Sequence, residues 1–464
     1  MHVKRHVTIV GAGCAGPLLA ALLAKRGFAV TLHERRGDPR LGFREAGRSI
    51  NLALAARGLH ALEAAGLRGA IEDLLVPMRG RLIHATDGER SFMPYGRLPE
   101  EFIWSISRGD LNERLLTAAE ERGVAIRFSE RCTGADFDQG LVRFEDPAGM
   151  GLTVAFSADD PLIATDGARS AVRTSMQEAH LTTLREEPLS HAYKELLIPA
   201  GAGGRYQMER EVLHIWPRGG YMLIALPNND GSFTVTLFLE RSGANPCFDR
   251  LKQAAAVNAL MQRDFADAAA LMPDLASQFL ANPPGSLSTI HVSEWRSRAG
   301  ALLMGDAAHG IVPFHGQGMN CAFEDCTVMN ELLDTGQDWN AVFAEFARRR
   351  PPDTESIARM ALENYGEMRD TVRDPSFQLQ KKLSLELEQR HPCRFIPRYS
   401  MVSFHAEIPY SEAERRGAIQ QQILVDALRG HTGLDQVDYA RIDSMIRERL
   451  APIRPGPGAS PTGN

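Results

Sequence analysis

Apolar and polar positions alternate along the chain in blocks that change period. His6 to Val10 is a short apolar run, too short for a helix, and reads as a buried strand. Gly11-Ala-Gly-Cys-Ala-Gly16 interrupts it before an apolar helix from Pro17 to Arg26, which Gly27 ends. Ala29-Val-Thr-Leu-His33 then reads as a second strand closing at Glu34. Leu213-His-Ile-Trp-Pro217, Tyr221 to Leu226 and Phe233 to Leu239 read as sheet strands, with a turn at Asn228-Asn-Asp-Gly231. A helix follows Gly316, and Met319, Phe323, Cys326 and Leu333 keep helical spacing on it, which makes them core positions. Two further helices are expected at residues 411–429 and 435–449.

Composition narrows the class. At 464 residues the chain holds about three structural units. Hydrophobic residues at 44% and charged residues at 24% exclude disorder, collagen and coiled coil. Lys+Arg 52 against Asp+Glu 58 leaves a net charge of -6, which argues against a nucleic-acid partner. The six cysteines are scattered without a CxxC pair, so neither a disulfide framework nor a metal site is expected, and reduced thiols in a cytoplasm fit best. No apolar run approaches about 18 residues, so no transmembrane anchor is expected. Val7 to Val10 is too short for a signal core.

The first forty residues carry the first chemistry: strand, GxGxxG, helix, strand, acid. Gly11 allows the tight turn, Gly13 lets backbone approach a pyrophosphate, and Gly16 lets helix and strand pack closely. The helix start offers free N–H groups to phosphates. Glu34, 23 residues after Gly11, can accept hydrogen bonds from a ribose and would repel a 2′-phosphate, so FAD or NAD is expected there. Arg35 and Arg36 read as a solvated loop rather than a phosphate clamp.

Later motifs favour FAD. Asp166-Gly167 makes a turn after a short apolar run. Gly305-Asp306 ends another strand, and Gly316-Gln-Gly-Met-Asn320 opens a helix. Together with Gly11-x-Gly-x-x-Gly16 these resemble the three fingerprints of single-component flavoprotein aromatic hydroxylases. Within that class the chain is similar to the kynurenine 3-monooxygenase family. The blocks that carry the likeness start at Gly47-Arg-Ser-Ile-Asn-Leu-Ala-Leu54, Pro77-Met-Arg-Gly-Arg-Leu-Ile-His84, Val312-Pro-Phe-His315, Asn364-Tyr-Gly-Glu-Met-Arg369 and Phe395-Ile-Pro-Arg-Tyr399. They run from about residue 6 to residue 410.

The resemblance implies an α/β fold. A Rossmann-like FAD-binding domain would be assembled from 1–180 and 285–335, and a β-sheet substrate domain would span 181–284. A C-terminal helical segment would cover 336–450, followed by a Pro/Gly-rich disordered tail at 451–464. It places flavin contacts on Ala15, Glu34, Ala53, Arg108, Cys132, Asp306, Met319 and Asn320, beside Gly11, Gly13 and Gly16. Cys132 stands where the family is usually aliphatic and would act through its backbone. L-Kynurenine would meet Arg81, Tyr95, Asn364 and Tyr399. Arg81 is suited to hold a carboxylate bidentately, and a bend at Gly80 would turn Arg79 away. Phe314 and His315 would face the flavin ring, and no residue is expected to act as catalytic acid or base.

The implied reaction converts L-kynurenine to 3-hydroxy-L-kynurenine with O2 through a flavin hydroperoxide. NADPH would be a transient co-substrate, since one GxGxxG leaves no second nucleotide domain. Tryptophan degradation and NAD or secondary-metabolite synthesis are equally compatible, and a homodimer is left open. Two rival readings remain: a relative acting on a ring-modified kynurenine, and an FAD redox protein that does not hydroxylate.

Overall fold

A computed structural model describes residues 5–42, 51–244, 246–371 and 374–453; the Gly47–Ile50 stretch and the tail from residue 454 lie outside them. The nucleotide-type unit forms as the sequence reads. Strand β1 (His6–Val10) leads into helix α1 (Ala15–Lys25) and strand β2 (Ala29–His33). β1 pairs in parallel with β2 on one side and with the strand Leu162–Ala164 on the other. The full six-stranded order is 296–297, 301–303, 162–164, β1, β2, 125–127. Val7, Ile9 and Leu32 have no exposed surface, as a parallel sheet covered on both faces requires.

Glycine is required at two points here. A Cβ at Gly11, where φ is +98°, would sit 2.6 Å from the Asp166 Cα, and one at Gly16 would sit 2.1 Å from the Gly11 carbonyl oxygen.

Strand β3 (Asn51–Leu54) and helix α2 (Ala56–Ala65) follow. Strand β4 (Gly80–His84) begins after a break at Arg79, because Val76–Met78 pairs in a different, three-stranded sheet. A Cβ on Gly80 would meet the Met93 carbonyl at 2.4 Å. Helix α3 (Arg108–Glu121) is capped by Ser107, whose hydroxyl accepts from the Asp110 N–H.

A second sheet, the one expected of a substrate domain, has seven strands, in the order 285–292, 184–198, 233–240, 222–227, 213–217, β4, 90–94. It therefore extends beyond the expected 181–284 at both ends. β4 joins by parallel pairing, Arg81 opposite Leu213, inside an otherwise antiparallel sheet. Side chains alternate faces with the period of two that strands impose. Leu223, Ala225, Val235 and Leu237 pack on the helices of residues 254–281, while Met222, Leu226 and Phe238 face Phe314 and Tyr365.

The C-terminal part is helical. Helix α4 (Gly318–Leu333) belongs to the nucleotide unit and buries Phe323 and Cys326 completely. Helix α5 (Pro351–Gly366), started by two prolines, runs into a π turn at Glu367–Thr371. Helices α6 (Pro375–Arg390), α7 (Arg398–Phe404) and α8 (Tyr410–Leu428) follow, with a last helix at Tyr439–Arg449. Leu383, Leu387, Phe395, Ile423 and Ile446 form a core shared by α6, α8 and the last helix, while Met401 and Val402 of α7 pack with Ile357, Met360 and Tyr410.

Candidate active site

The cofactor side is assembled from four chain segments. The Gly305 turn lies between α1 and α4: a Cβ there would be 3.9 Å from that of Ala15 and 3.3 Å from that of Ala322. Asn320 ties β3 to the same place. Its amide donates to the Ala53 and Gly316 carbonyls, both at 2.8 Å, and its oxygen accepts from the Ala55 N–H at 2.9 Å. The Asn320 side chain is thus spent on backbone, so any ligand contact it makes is through its own main chain. The start of α3 docks over the glycine turn, with the Asn112 amide 2.9 Å from the Ala12 carbonyl and Arg108 exposed at its first position.

Three observations test whether FAD fits. No atom lies within 4 Å of where a Cβ on Gly13 or Gly318 would stand, so backbone is open to a close neighbour at both helix starts. Neither α1 nor α4 has a side-chain cap, which leaves first-turn N–H groups for an anion. Asp306 is exposed between buried Gly305 and Ala307, as a group reaching for a ribityl hydroxyl would be. The residues fit.

Glu34 is 5% exposed and accepts from the Ala12 N–H (2.8 Å) and from the Arg36 N–H and Nε (2.9 and 2.8 Å). Burial alone would raise its carboxyl, but Arg36 outweighs burial and holds it below the usual range. Three bonds leave about one of a carboxylate's four acceptor sites for a ribose. Arg36 is therefore a partner of Glu34 and not part of a purely solvated loop, because its side chain folds back two residues onto the acid. Cys132 lies on the strand Arg131–Asp136, where burial, with Asp166 adding, pushes its thiol up to about 12.

Behind the turn, the Asp325 carboxylate accepts from the Gly305 N–H (2.9 Å), His309 Nε2 (2.7 Å) and Arg350 Nε (2.7 Å). Burial would strip the His309 charge, yet Asp325 overrides it and pushes the imidazole up to about 10.

The second side of the site centres on Arg81, 5% exposed on β4. Its Nη1 donates to Glu367 at 2.8 Å and its Nη2 to the Asn364 oxygen at 3.3 Å, while Nε is buried without a hydrogen-bond partner. The Tyr95 and Tyr399 rings stack at 5.2 Å and 6° beside it, 5.7 and 5.2 Å from its guanidinium carbon. His315 stacks on Tyr399 at 5.1 Å. The Asn364 amide donates to the Phe314 carbonyl at 2.6 Å, and Phe314 stacks on Tyr365 at 3.8 Å. The structure thus gathers Arg81, Tyr95, Asn364, Tyr399, Phe314 and His315 in one place.

Several buried polar atoms there lack a hydrogen-bond partner: Arg81 Nε, the Tyr95 hydroxyl and His315 Nδ1. Such atoms call for a polar ligand. Burial, with the charges of Arg398 and Arg81 adding, pushes the His315 imidazole down to about 3, so it is neutral. Arg79 points elsewhere, paired with Glu211 at 2.7 Å at the surface.

Sequence reasoning missed Glu367 and Lys381. Glu367 lies three residues after Asn364, so helical spacing would have put the two on one face, though not which residue they meet. Lys381, on α6, donates to the Tyr95 carbonyl at 3.4 Å and had no motif to reveal it. Among the described residues, no group of three or more His, Cys, Asp or Glu is placed to hold a metal.

The family described as FAD binding domain matches residues 4–335 and stops short of Asn364, Glu367 and Tyr399. Full-length relatives cover both sides. The kynurenine 3-monooxygenase of Stenotrophomonas maltophilia (strain K279a) is 47% identical over 452 residues, spanning 97% of this chain and 98% of the relative. That of Xanthomonas axonopodis pv. citri (strain 306) is 48% identical over 451 residues, with the same coverage. The chain belongs to the kynurenine 3-monooxygenase family. Among solved structures, the tetrameric form of 2-methyl-3-hydroxypyridine-5-carboxylic acid oxygenase aligns with a TM-score of 0.65 at 20% identity. It covers 83% of this chain and 98% of its own, and it shows that the fold of this kynurenine 3-monooxygenase family member is shared more widely.

Proposed function

We propose that the chain hydroxylates L-kynurenine to 3-hydroxy-L-kynurenine, using FAD, NADPH and O2. The observation that carries the substrate reading is the Arg81 guanidinium, buried beside two stacked tyrosines and paired with Glu367 next to Asn364. An amino acid end presents both charges. Arg81 would take the carboxylate, its planar fork suited to two oxygens, and Glu367 would take the α-ammonium.

Gly13, Ala15, the Met319–Asn320 main chain, Glu34, Ala53, Arg108, Cys132 and Asp306 would hold FAD. When bound, FAD supplies the two-electron and oxygen chemistry that no side chain possesses. The chain's own part is to bind, orient and exclude water. Asn364, held by the Phe314 carbonyl, fixes Arg81 relative to the aromatic wall formed by Phe314, Tyr365 and Phe238. Neutral His315 can hydrogen-bond the ketone through Nδ1 without placing a charge beside the ring. The substrate's own ring amine enriches the adjacent carbon, so no protein base need start the attack. NADPH would dock transiently, since the GxGxxG turn is taken by FAD.

The test is NADPH oxidation by the FAD-loaded protein with and without L-kynurenine, followed by mass spectrometry. The expected result is kynurenine-dependent oxidation and a product one oxygen atom heavier. Oxidation that yields only hydrogen peroxide would overturn the proposal.

No helix among the described residues is long and apolar enough to cross a membrane.

A further inference from the structure

Tyr399 reaches the substrate side from α7, which belongs to the C-terminal helices rather than to the nucleotide unit. Something must hold that lobe against the rest, and one dense polar contact between them is made by Arg57. Arg57 is 1% exposed at the second position of α2. Its Nη1 donates to Glu324 on α4 and to the Ala406 carbonyl at 3.2 Å. Its Nη2 donates to the carbonyls of His405, at 3.4 Å, and Ile408. The guanidinium carbon lies 3.9 Å from the centre of the Tyr410 ring. The three carbonyls belong to the turn that follows α7, and Tyr410 opens α8, where its hydroxyl donates to Gln317 at 2.8 Å.

The base of this contact is stiff. A Cβ on Gly58 would sit 2.5 Å from the Asn320 oxygen, so α2 is packed hard on the start of α4. The far end is stiff too: a Cβ on Gly417 would meet the Arg398 side chain at 2.5 Å, so α7 is packed hard on α8. Arg57 joins these two closely packed parts.

We propose that Arg57 is a positioning residue for the reaction. It seats α7, and with it Tyr399, over the substrate side, and so sets how tightly that side closes. This rests on the reading of Tyr399 as a substrate contact. A lysine cannot do the same work, because one ammonium cannot reach a carboxylate and three separate carbonyls from a single nitrogen.

The test uses the full-length, FAD-loaded protein with Arg57→Lys, and Glu324→Gln as a second variant should the first fail to fold. Arg57→Lys should raise KM for L-kynurenine about tenfold, the size of one lost charge-assisted hydrogen bond. More of the NADPH oxidised should end as hydrogen peroxide, and FAD content should stay at the wild-type level. Amide hydrogen exchange should quicken over residues 398–410 and stay unchanged over 318–333. Glu324→Gln should move the same readouts in the same direction by less. A lowered melting temperature with KM, peroxide yield and exchange at 398–410 all unchanged would mean a merely structural arginine and overturn the proposal. Exchange needs no substrate, so if the wild-type protein ignores kynurenine, the functional reading fails while exchange at 398–410 still decides the role of Arg57.

Discussion

Removing the Arg81 guanidinium is the sharpest perturbation of the substrate side. In Arg81→Ala the substrate carboxylate loses a desolvated, charge-assisted partner, a loss of about 2–5 kcal/mol. At one factor of ten per 1.36 kcal/mol, kcat/KM should fall roughly thirtyfold to a few thousandfold. The upper part of that range is favoured, because Glu367, 2.8 Å from Arg81, would lose that partner and be left close to the substrate carboxylate with only the α-ammonium to offset it. The fold should suffer less, since the Glu367 side chain is 27% exposed and can be rehydrated. Arg81→Lys should recover part of the loss, a point charge replacing a fork. Arg79→Ala is the control: its pair with Glu211 is 48% and 41% exposed, worth about 1 kcal/mol or less, and KM should not move. The assay is initial-rate NADPH oxidation across kynurenine concentration, with FAD content measured after heat release. Equal KM effects at both arginines, or none at Arg81, would refute the assignment.

Three further outcomes are expected. Gly13→Ala should fold normally by circular dichroism yet retain little FAD, because the methyl meets no protein atom and occupies the space a pyrophosphate needs; Gly16→Ala should fail to fold, its Cβ lying 2.1 Å from a carbonyl oxygen. The Glu388 carboxyl is pushed up from 4.5 to about 7 by burial, with the charge of Glu101 adding. A raised carboxyl lends stability that is present below about pH 4.5 and lost as pH rises through about 7, so Glu388→Gln should gain roughly 2 kcal/mol over wild type at pH 8 relative to pH 5, after discounting for solvent screening. Denaturant melts at both pH values check this, and an equal effect at both would contradict it. His315, already neutral with its imidazole pushed down to about 3, should contribute no ionisation near neutrality, so His315→Gln should lower the rate without changing the shape of its pH profile.

The glycine turn was legible in the sequence because its constraints are local. Gly11 must take φ +98° and Gly16 must abut the Gly11 carbonyl, both within six residues, and the acid at Glu34 closes the next strand. Short apolar runs bounded by a turn likewise announced strands at 213–217, 221–226 and 233–239, found at 213–217, 222–227 and 233–240, and a second helix expected at 411–429 is α8, found at Tyr410–Leu428. The assignment of Arg81, Tyr95, Asn364 and Tyr399 to the substrate came from family likeness, since a lone arginine on a strand carries no periodic signal.

Tertiary structure alone decided how these pieces meet. It inserted residues 80–94 into a sheet whose other strands begin a hundred residues later, which is what buries Arg81 opposite Leu213. It folded Arg36 onto Glu34 and set Glu367 against Arg81, pairings of opposite charges that become favourable only after burial removes water. It also brought α2 to the turn after α7, 349 residues away for Arg57 and Ala406. Period and propensity act over a few residues, whereas burial and charge pairing depend on which distant surfaces the completed fold brings into contact.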